Sequence, residues 1–470
     1  MSNQSPWLTK DLQYNWHPYT QMQTSEKYPP LLIERAQGIK LYDADGNFYY
    51  DTISSWWCNI HGHNHPKINA AINAQLKKFA HVMFAGFTHK PAIALSEKLL
   101  KIAPHNLSRV FYSDDGSTAV ETTLKMSFQY WQNIGQKEKT KFVALDAGYH
   151  GDTVGTMSIS GVDLFNEVFS PLFFKSFKVP SPNCYRCPAG HYHQTGQRAT
   201  AALNPPLNRA TEKPRCKLEC LKQLETLLAH KNQEIAALIL EPLVMAAGGM
   251  IIYPKEYLIK AAQLAKKYNV HLIVDEVATG FGRTGKMFAI EHAKVQPDFM
   301  CLSKGLTAGY LPMGATLTTE KIYRAFLGEP GGRKTFYHGH TYTANPIASA
   351  VALASLKIFE EEKTLARAQK TIAAFHKALE NFRDLPFVGD VRALGFIGAI
   401  ELVKDKATKE MFAPKENNHL GQEIYRAGLK EHLVLRPLGN IIYLWLPVGI
   451  SSKELEEVME KTNQVLVNLL

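Results

Sequence analysis

Through the middle of the chain, short apolar runs alternate with stretches of helical periodicity. Arg109–Ser113 (RVFYS), Lys141–Asp146 (KFVALD), Ala236–Glu241 (AALILE), His271–Val277 (HLIVDEV) and Asp298–Ser303 (DFMCLS) each read as a buried strand. Between them, Ser117–Trp131 and Pro254–Tyr268 repeat apolar positions at helical spacing. Apolar strands without polar alternation, separated by helices, predict an α/β architecture: a mostly parallel central sheet covered by helices on both faces. Asn345–Asp384 reads as one long helical stretch opened by Pro346. Gly389–Leu402 and Asn440–Leu446 read as strands of a second, smaller unit. Near the start, Ile39–Ile53 has a hairpin pattern with Asp45–Gly46 at its turn, and is expected to join the C-terminal part. The chain thus divides into an N-terminal segment of the small domain (1–65), a large domain (66–344) and the rest of a small α+β domain (345–470). Pro180–Pro214, rich in Pro, Asn, Gln, Thr and His, breaks the rhythm and reads as an insertion, over about 180–220 with its flanking cysteines.

Composition excludes more than it identifies. With 470 residues, 45% hydrophobic and 20% charged, the chain is globular in type, not disordered, collagen-like or a small disulfide scaffold. Six cysteines are too sparse for a disulfide framework and suit a reducing compartment. Met1–Asp11 lacks the basic flank and apolar core of a signal peptide. The most apolar window, Ile235–Ile252, is interrupted by Glu241, Pro242 and Gly248–Gly249. The expectation is a soluble, cytoplasmic protein with no membrane partner. The net charge of +10 is spread without a basic block. That argues against nucleic acid and is compatible with anionic small molecules as partners.

Three strand ends carry chemistry, and ligands of an open parallel sheet sit at such ends. After RVFYS come Asp114–Thr118 and then a helix, so Gly116 and Ser117 lie where free N–H groups and the helix dipole form an anion cradle. After HLIVDEV, Gly280, Gly282 and Gly285 match G-x-G-x-x-G and nearly a P-loop, but Met287 stands where a P-loop needs Ser or Thr. The acidic pair Asp275–Glu276 also precedes the glycines, the reverse of a dinucleotide fingerprint. After DFMCLS, Lys304 projects toward the crevice that Asp275 faces. An amine that can form a Schiff base with an aldehyde, a carboxylate that can keep a pyridine nitrogen protonated, and a phosphate cradle are together what pyridoxal 5'-phosphate (PLP) requires.

The run DEVATGFGRTGK, with Lys304 of SKGL following Asp275 by 29 residues, resembles the class III (ω-amino) aminotransferases of PLP fold type I over nearly the whole chain. The resemblance implies that fold, a large domain plus a small domain built from both chain ends. It makes Lys304 the lysine that carries PLP, Asp275 the partner of the pyridine nitrogen, Val277 the floor under the ring and Tyr149 the group stacked over it. Gly116 and Ser117 become phosphate-binding, as does Thr341, donated by the neighbouring subunit of a homodimer with composite sites.

WHPYTQM (Trp16–Met22), SSWWCNIHGHNHP (Ser54–Pro66), GYHGDT (Gly148–Thr153), HGHTYTANP (His338–Pro346) and RPLGNIIYL (Arg436–Leu444) resemble, more narrowly, one branch of that family. That branch aminates 8-amino-7-oxononanoate to 7,8-diaminononanoate for biotin synthesis by a ping-pong reaction. Its resemblance makes Arg436 the carboxylate-binding arginine and Tyr19, Trp56 and Trp57 the aromatic walls. Asp152, Arg283, Gly339 and Tyr443 match positions near the substrates. The amino donor in the branch is S-adenosylmethionine or lysine; Trp56–Trp57, FAGFTHKPA and Tyr443 resemble the adenosylmethionine users, while HGHTYTAN and RPLGN resemble the lysine users. A class III ω-transaminase acting on another amino acid or diamine stays open. In the insertion, Cys184, Cys187, Cys216 and Cys220, with His191 and His193 nearby, either hold a structural zinc or are reduced thiols in a loop. His61, His63 and His65 read as a loop beside the site, without a metal.

Overall fold

The computed structural model describes residues 5–187 and 217–469. Seven strands form the central sheet, in the order Leu107–Ser113, Gly314–Thr319, Phe299–Leu302, His271–Asp275, Ile235–Leu240, Lys141–Leu145 and Phe177–Val179. The last five run parallel to one another, and Gly314–Thr319 is antiparallel to both of its neighbours. Ile235–Leu240, His271–Asp275 and Phe299–Leu302 are buried at every position, which is why each reads as an uninterrupted apolar run. The helix Gly116–Asn133 packs Val120, Leu124 and Trp131 into the core, and Lys255–Lys267 packs Tyr257, Leu258 and Leu264 there.

The small domain draws on both chain ends, as expected. Val388–Leu394, Ile397–Leu402 and Ile441–Trp445 form one antiparallel sheet, and Ile33–Gln37, Lys40–Asp43 and Phe48–Tyr50 another. Backbone bonds join the N-terminal segment to the C-terminal part: Tyr50 N donates to His432 O (2.8 Å), Val434 N to Tyr50 O (3.0 Å) and Trp445 N to Thr52 O (2.7 Å).

Two expectations need correction. The stretch 345–384 is not one helix: Pro346–Glu361 and Thr364–Glu380 are separate, broken where Lys363 takes φ 49°. The first packs on the helices Pro66–Leu76 and Lys90–Ile102. The stretch 389–402 is likewise two strands, reversed at Gly395 (φ 61°), where a Cβ would lie 2.2 Å from Arg283 O. Cys216, His191 and His193 lie outside the described residues; among the described residues no group of three or more His, Cys, Asp or Glu is placed to hold a metal. Among the described residues, no helix is long and apolar enough to cross a membrane.

Candidate active site

Parallel register brings the carboxyl ends of three strands together. Leu240 pairs with Val274 and Asp275 with Cys301, so Glu241, Asp275 and Lys304 emerge side by side. All three line one cavity of about 580 Å³. Lys304 follows Ser303, whose hydroxyl donates to Met313 O (2.7 Å), and takes the left-handed φ of 42° that is rare for a residue with a side chain. Its Nζ lies 5.2 Å from the centroid of the Trp57 ring. Burial lowers the amine's pKa, opposed by the nearby Asp275 and Glu241.

The Asp275 carboxylate is held from two sides. Oδ2 is 2.7 Å from Nδ1 of the fully buried His150, and Oδ1 accepts from Val277 N (3.1 Å). Tyr149 lines the same cavity, its hydroxyl pKa pushed up by burial and by Tyr19. At the start of the helix Gly116–Asn133, the capping Asp115 carboxylate accepts from Thr118 N (2.8 Å), and the N–H groups of Gly116 and Ser117 lie between them in the first turn. Gly116 must be glycine here, because a Cβ would approach Val277 Cγ1 to 2.5 Å.

Glu241 accepts from Tyr149 N (3.1 Å) through Oε1 and from Ala246 N (2.9 Å) through Oε2. Burial and Asp275 nevertheless push its pKa up from 4.5 to about 8. Between those values the folded protein keeps a proton that the unfolded chain has lost. Glu241 therefore stabilises most below pH 4.5, and its contribution falls as pH rises toward 8. Calorimetry on cofactor-free protein is expected to show Glu241→Gln gaining melting temperature relative to the unsubstituted protein between about pH 5 and about pH 8. Parallel melting curves would show that Glu241 carries no such proton.

A second cavity, of about 970 Å³, shares Trp57, Cys58, Tyr149, Asp152 and Lys304 with the first. Arg436 and Trp56 form part of its wall, with the guanidinium carbon 4.2 Å from the Trp56 ring centroid. Tyr19 donates to Asp152 Oδ1 (2.7 Å) and meets Trp56 edge-on at 5.5 Å. Tyr443 stands edge-on to Trp57 at 6.1 Å, its hydroxyl pushed up to about 12 by burial.

The tryptophans are presented by an unusual backbone: Ser54, Ser55, Trp56 and Trp57 all have φ between 46° and 74°. Left-handed backbone costs L-residues about 1–2 kcal/mol each, so the turn needs external support. Asp51 accepts from Ser55 N and Ser55 Oγ, both at 2.7 Å. Further support comes from Ser54 Oγ, which donates to Trp445 O (2.6 Å), and from Arg283, which stands behind the turn. Arg283 is fully buried and lines neither cavity. Its guanidinium donates to Ser54 Oγ (3.0 Å), Trp57 O (3.3 Å), Asn59 O (2.5 Å) and Leu446 O (2.7 Å). It clamps the turn from behind. Gly339 and Thr341 lie on an exposed segment outside both cavities. The other expected residues, Tyr19, Trp56, Trp57, Gly116, Ser117, Tyr149, Asp152, Asp275, Val277, Lys304, Arg436 and Tyr443, converge on them. Sequence reasoning missed His150 and Glu241. Glu241 occupies the same strand-end position as Asp275, a signal that was present.

The Aminotransferase class-III family model matches residues 21–466. The chain belongs to the class III aminotransferases. Within the family, it is 46% identical over 96% of its length, and 94% of the relative's, to the adenosylmethionine-8-amino-7-oxononanoate aminotransferase of Aquifex aeolicus. The crystal structure of the enzyme of that name from Methanocaldococcus jannaschii superposes with a TM-score of 0.89 at 41% identity, covering 98% of this chain and 99% of the other. The ω-transaminase of Pseudomonas jessenii in complex with PMP superposes with a TM-score of 0.88 at 31% identity, covering 99% and 98%. This class III aminotransferase therefore has the α/β architecture of PLP fold type I.

Proposed function

We propose that this aminotransferase binds pyridoxal 5'-phosphate and transfers an amino group from S-adenosylmethionine to 8-amino-7-oxononanoate, forming 7,8-diaminononanoate in biotin biosynthesis. It does so as a cytoplasmic homodimer. The first cavity suits the cofactor on its own chemistry: a carboxylate and an amine at adjacent strand ends, and a helix N-terminus beside a glycine that cannot carry a Cβ. Asp275 would hold the pyridine nitrogen, Val277 and Tyr149 the two ring faces, and Gly116 and Ser117 the phosphate. Thr341, exposed and away from the cavity within one chain, would reach the phosphate from a second copy. Bound there, PLP supplies an aldehyde carbon and a ring able to accept an electron pair. Lys304 Nζ, whose charged form burial disfavours, would take a proton from the donor's carbon and deliver it to the cofactor's aldehyde carbon on the other side of the transferred nitrogen. His150 holds Asp275 in place, so that its charge stays opposite the ring nitrogen. Tyr149 and Trp57 cover the amine and exclude water.

The observation that carries the substrate reading is Arg436 stacked on Trp56 in the wall of the cavity that also holds Lys304. A planar guanidinium fixed on a ring suits bidentate capture of a terminal carboxylate. Phe165, Leu438 and Ile441 offer apolar wall for an alkyl chain. This cavity, of about 970 Å³, has room for a donor as large as adenosylmethionine.

The test is single-turnover spectroscopy. S-adenosylmethionine is expected to convert the bound cofactor to its amine form, and 8-amino-7-oxononanoate to reverse the change. Conversion by lysine alone would move the donor assignment, and failure of both would end the reading. In Arg436→Ala the keto-acid half-reaction should lose about 10²-fold in apparent affinity, the scale of removing one partner of a charge pair. The donor half-reaction should change little; equal loss in both would remove Arg436 from carboxylate recognition.

A further inference from the structure

Ala247, Gly248 and Gly249, in the wall of the larger cavity, belong to a tight turn. Gly249 has φ 106° and Met250 φ 51°, and Met250 N donates back to Ala246 O (2.9 Å). A Cβ on Gly248 would lie 2.0 Å from Ala147 O, so the turn is wedged against the loop that carries Tyr149. One end is tied to the cofactor cavity, where Ala246 N donates to Glu241 Oε2 (2.9 Å). The other end is gripped from the small domain: Arg392 donates through Nε to Met250 O (2.6 Å) and through Nη2 to Gly249 O (2.7 Å). Nη1 of Arg392 spans Asp390 Oδ2 and Glu401 Oε2, both at 2.8 Å, and all three residues are buried. Glu401 Oε1 in turn accepts from Arg186 Nε (2.7 Å) on the N-terminal stem of the insertion.

We propose that Arg392 is a positioning residue that sets the Ala246–Met250 wall of the substrate cavity, and that Arg186 extends this control to the stem of the insertion. The proposal rests on reading that cavity as the substrate site. A left-handed turn presents its carbonyls away from the sheet, where only an external donor can satisfy them. The guanidinium supplies two donors at fixed angles, and its two carboxylates fix the fork itself. Lysine keeps the charge between Asp390 and Glu401 but cannot hold two carbonyls with the same geometry. From the small domain Ile441 also meets the turn: a Cβ on Gly249 would lie 3.0 Å from its Cδ1.

The test compares Arg392→Lys and Arg186→Ala with the unsubstituted protein, full-length and PLP-loaded, by amide hydrogen exchange and steady-state kinetics. In Arg392→Lys, residues 246–250 are expected to exchange about 10-fold faster while strands 235–240 and 271–275 are unchanged. KM for 8-amino-7-oxononanoate should rise about 10-fold with kcat within about 2-fold, and Arg186→Ala should shift KM the same way by about 3-fold. Unchanged exchange at 246–250, or a uniform rise across the sheet, overturns the proposal, as does an equal loss in kcat with KM unmoved. Should Arg392→Lys fail to fold, Arg186→Ala decides alone. If the unsubstituted protein does not aminate the keto acid, the substrate reading falls, and the exchange measurement still decides the positioning role.

Discussion

Lys304→Ala is expected to lower transamination by roughly 10⁴-fold or more, because in the proposed reaction one amine would serve as both nucleophile and proton carrier. No neighbour can take over. The side chains that share the first cavity offer hydroxyls, the carboxylates of Asp115, Asp152, Glu241 and Asp275, a buried imidazole already bound to Asp275 and a thiol that donates to Ser55 O at 3.0 Å, but no second amine. Burial also raises the pKa of that thiol, on Cys58, so it stays protonated. The lysine is presented by strained backbone, φ 42°, that the surroundings enforce: a Cβ on the following Gly305 would meet Ile60 and Phe281 at 3.0 Å. Alanine keeps this backbone and removes only the amine, so the variant should remain folded. After borohydride treatment with PLP, mass spectrometry should find the cofactor attached to the unsubstituted chain at residue 304, and nowhere on Lys304→Ala. Activity within about tenfold of the parent would eliminate this role for the lysine, since acid–base catalysis alone is worth about 10²–10⁴-fold.

The features legible in the sequence were those whose environment is apolar on all sides. Ile235–Leu240, His271–Asp275 and Phe299–Leu302 are buried at every position, so burial left a readable run up to the carboxyl ends that meet the cavity. Gly314–Thr319 (GATLTT) lies equally deep but was not read as a strand. Its threonines enter the core because their hydroxyls find backbone acceptors, Thr316 on Ala119 O (2.8 Å) and Thr318 on Asp298 O (3.1 Å). The break at Lys363 was hidden for a different reason: a left-handed lysine carries no marker of the kind glycine gives. The turn at 54–57 is hidden in the same way. Its support comes from Arg283, more than 220 residues away in sequence. An arginine in a glycine-rich loop looks ligand-facing until its acceptors are known, and here they are backbone carbonyls and a serine. His150 was passed over because a histidine beside Tyr149 has no meaning until the fold places it against Asp275.

That histidine bears on the second large effect. Asp275→Asn keeps the shape of the side chain and removes its charge, and transamination is expected to fall by about 10²–10⁴-fold. Removing one member of a buried ion pair costs about 3–5 kcal/mol, which is that range when expressed as a rate. The asparagine would still accept from Val277 N and still face His150, so the fold around it has no reason to change. What would be lost, on the proposed reading, is the charge that would face the ring nitrogen, and both half-reactions should suffer alike. This separates the variant from Arg436→Ala, which is expected to divide them. His150→Phe should give a smaller loss, about tenfold, because the carboxylate keeps its charge and its bond to Val277 N but loses the hydrogen bond that fixes it. Stopped-flow spectra of both half-reactions, together with cofactor retained after dialysis, distinguish these outcomes. Asp275→Asn working within about threefold of the parent would mean that no charged nitrogen sits against this carboxylate. A loss in His150→Phe larger than in Asp275→Asn would reverse their order, making the imidazole the primary contact and the carboxylate its support.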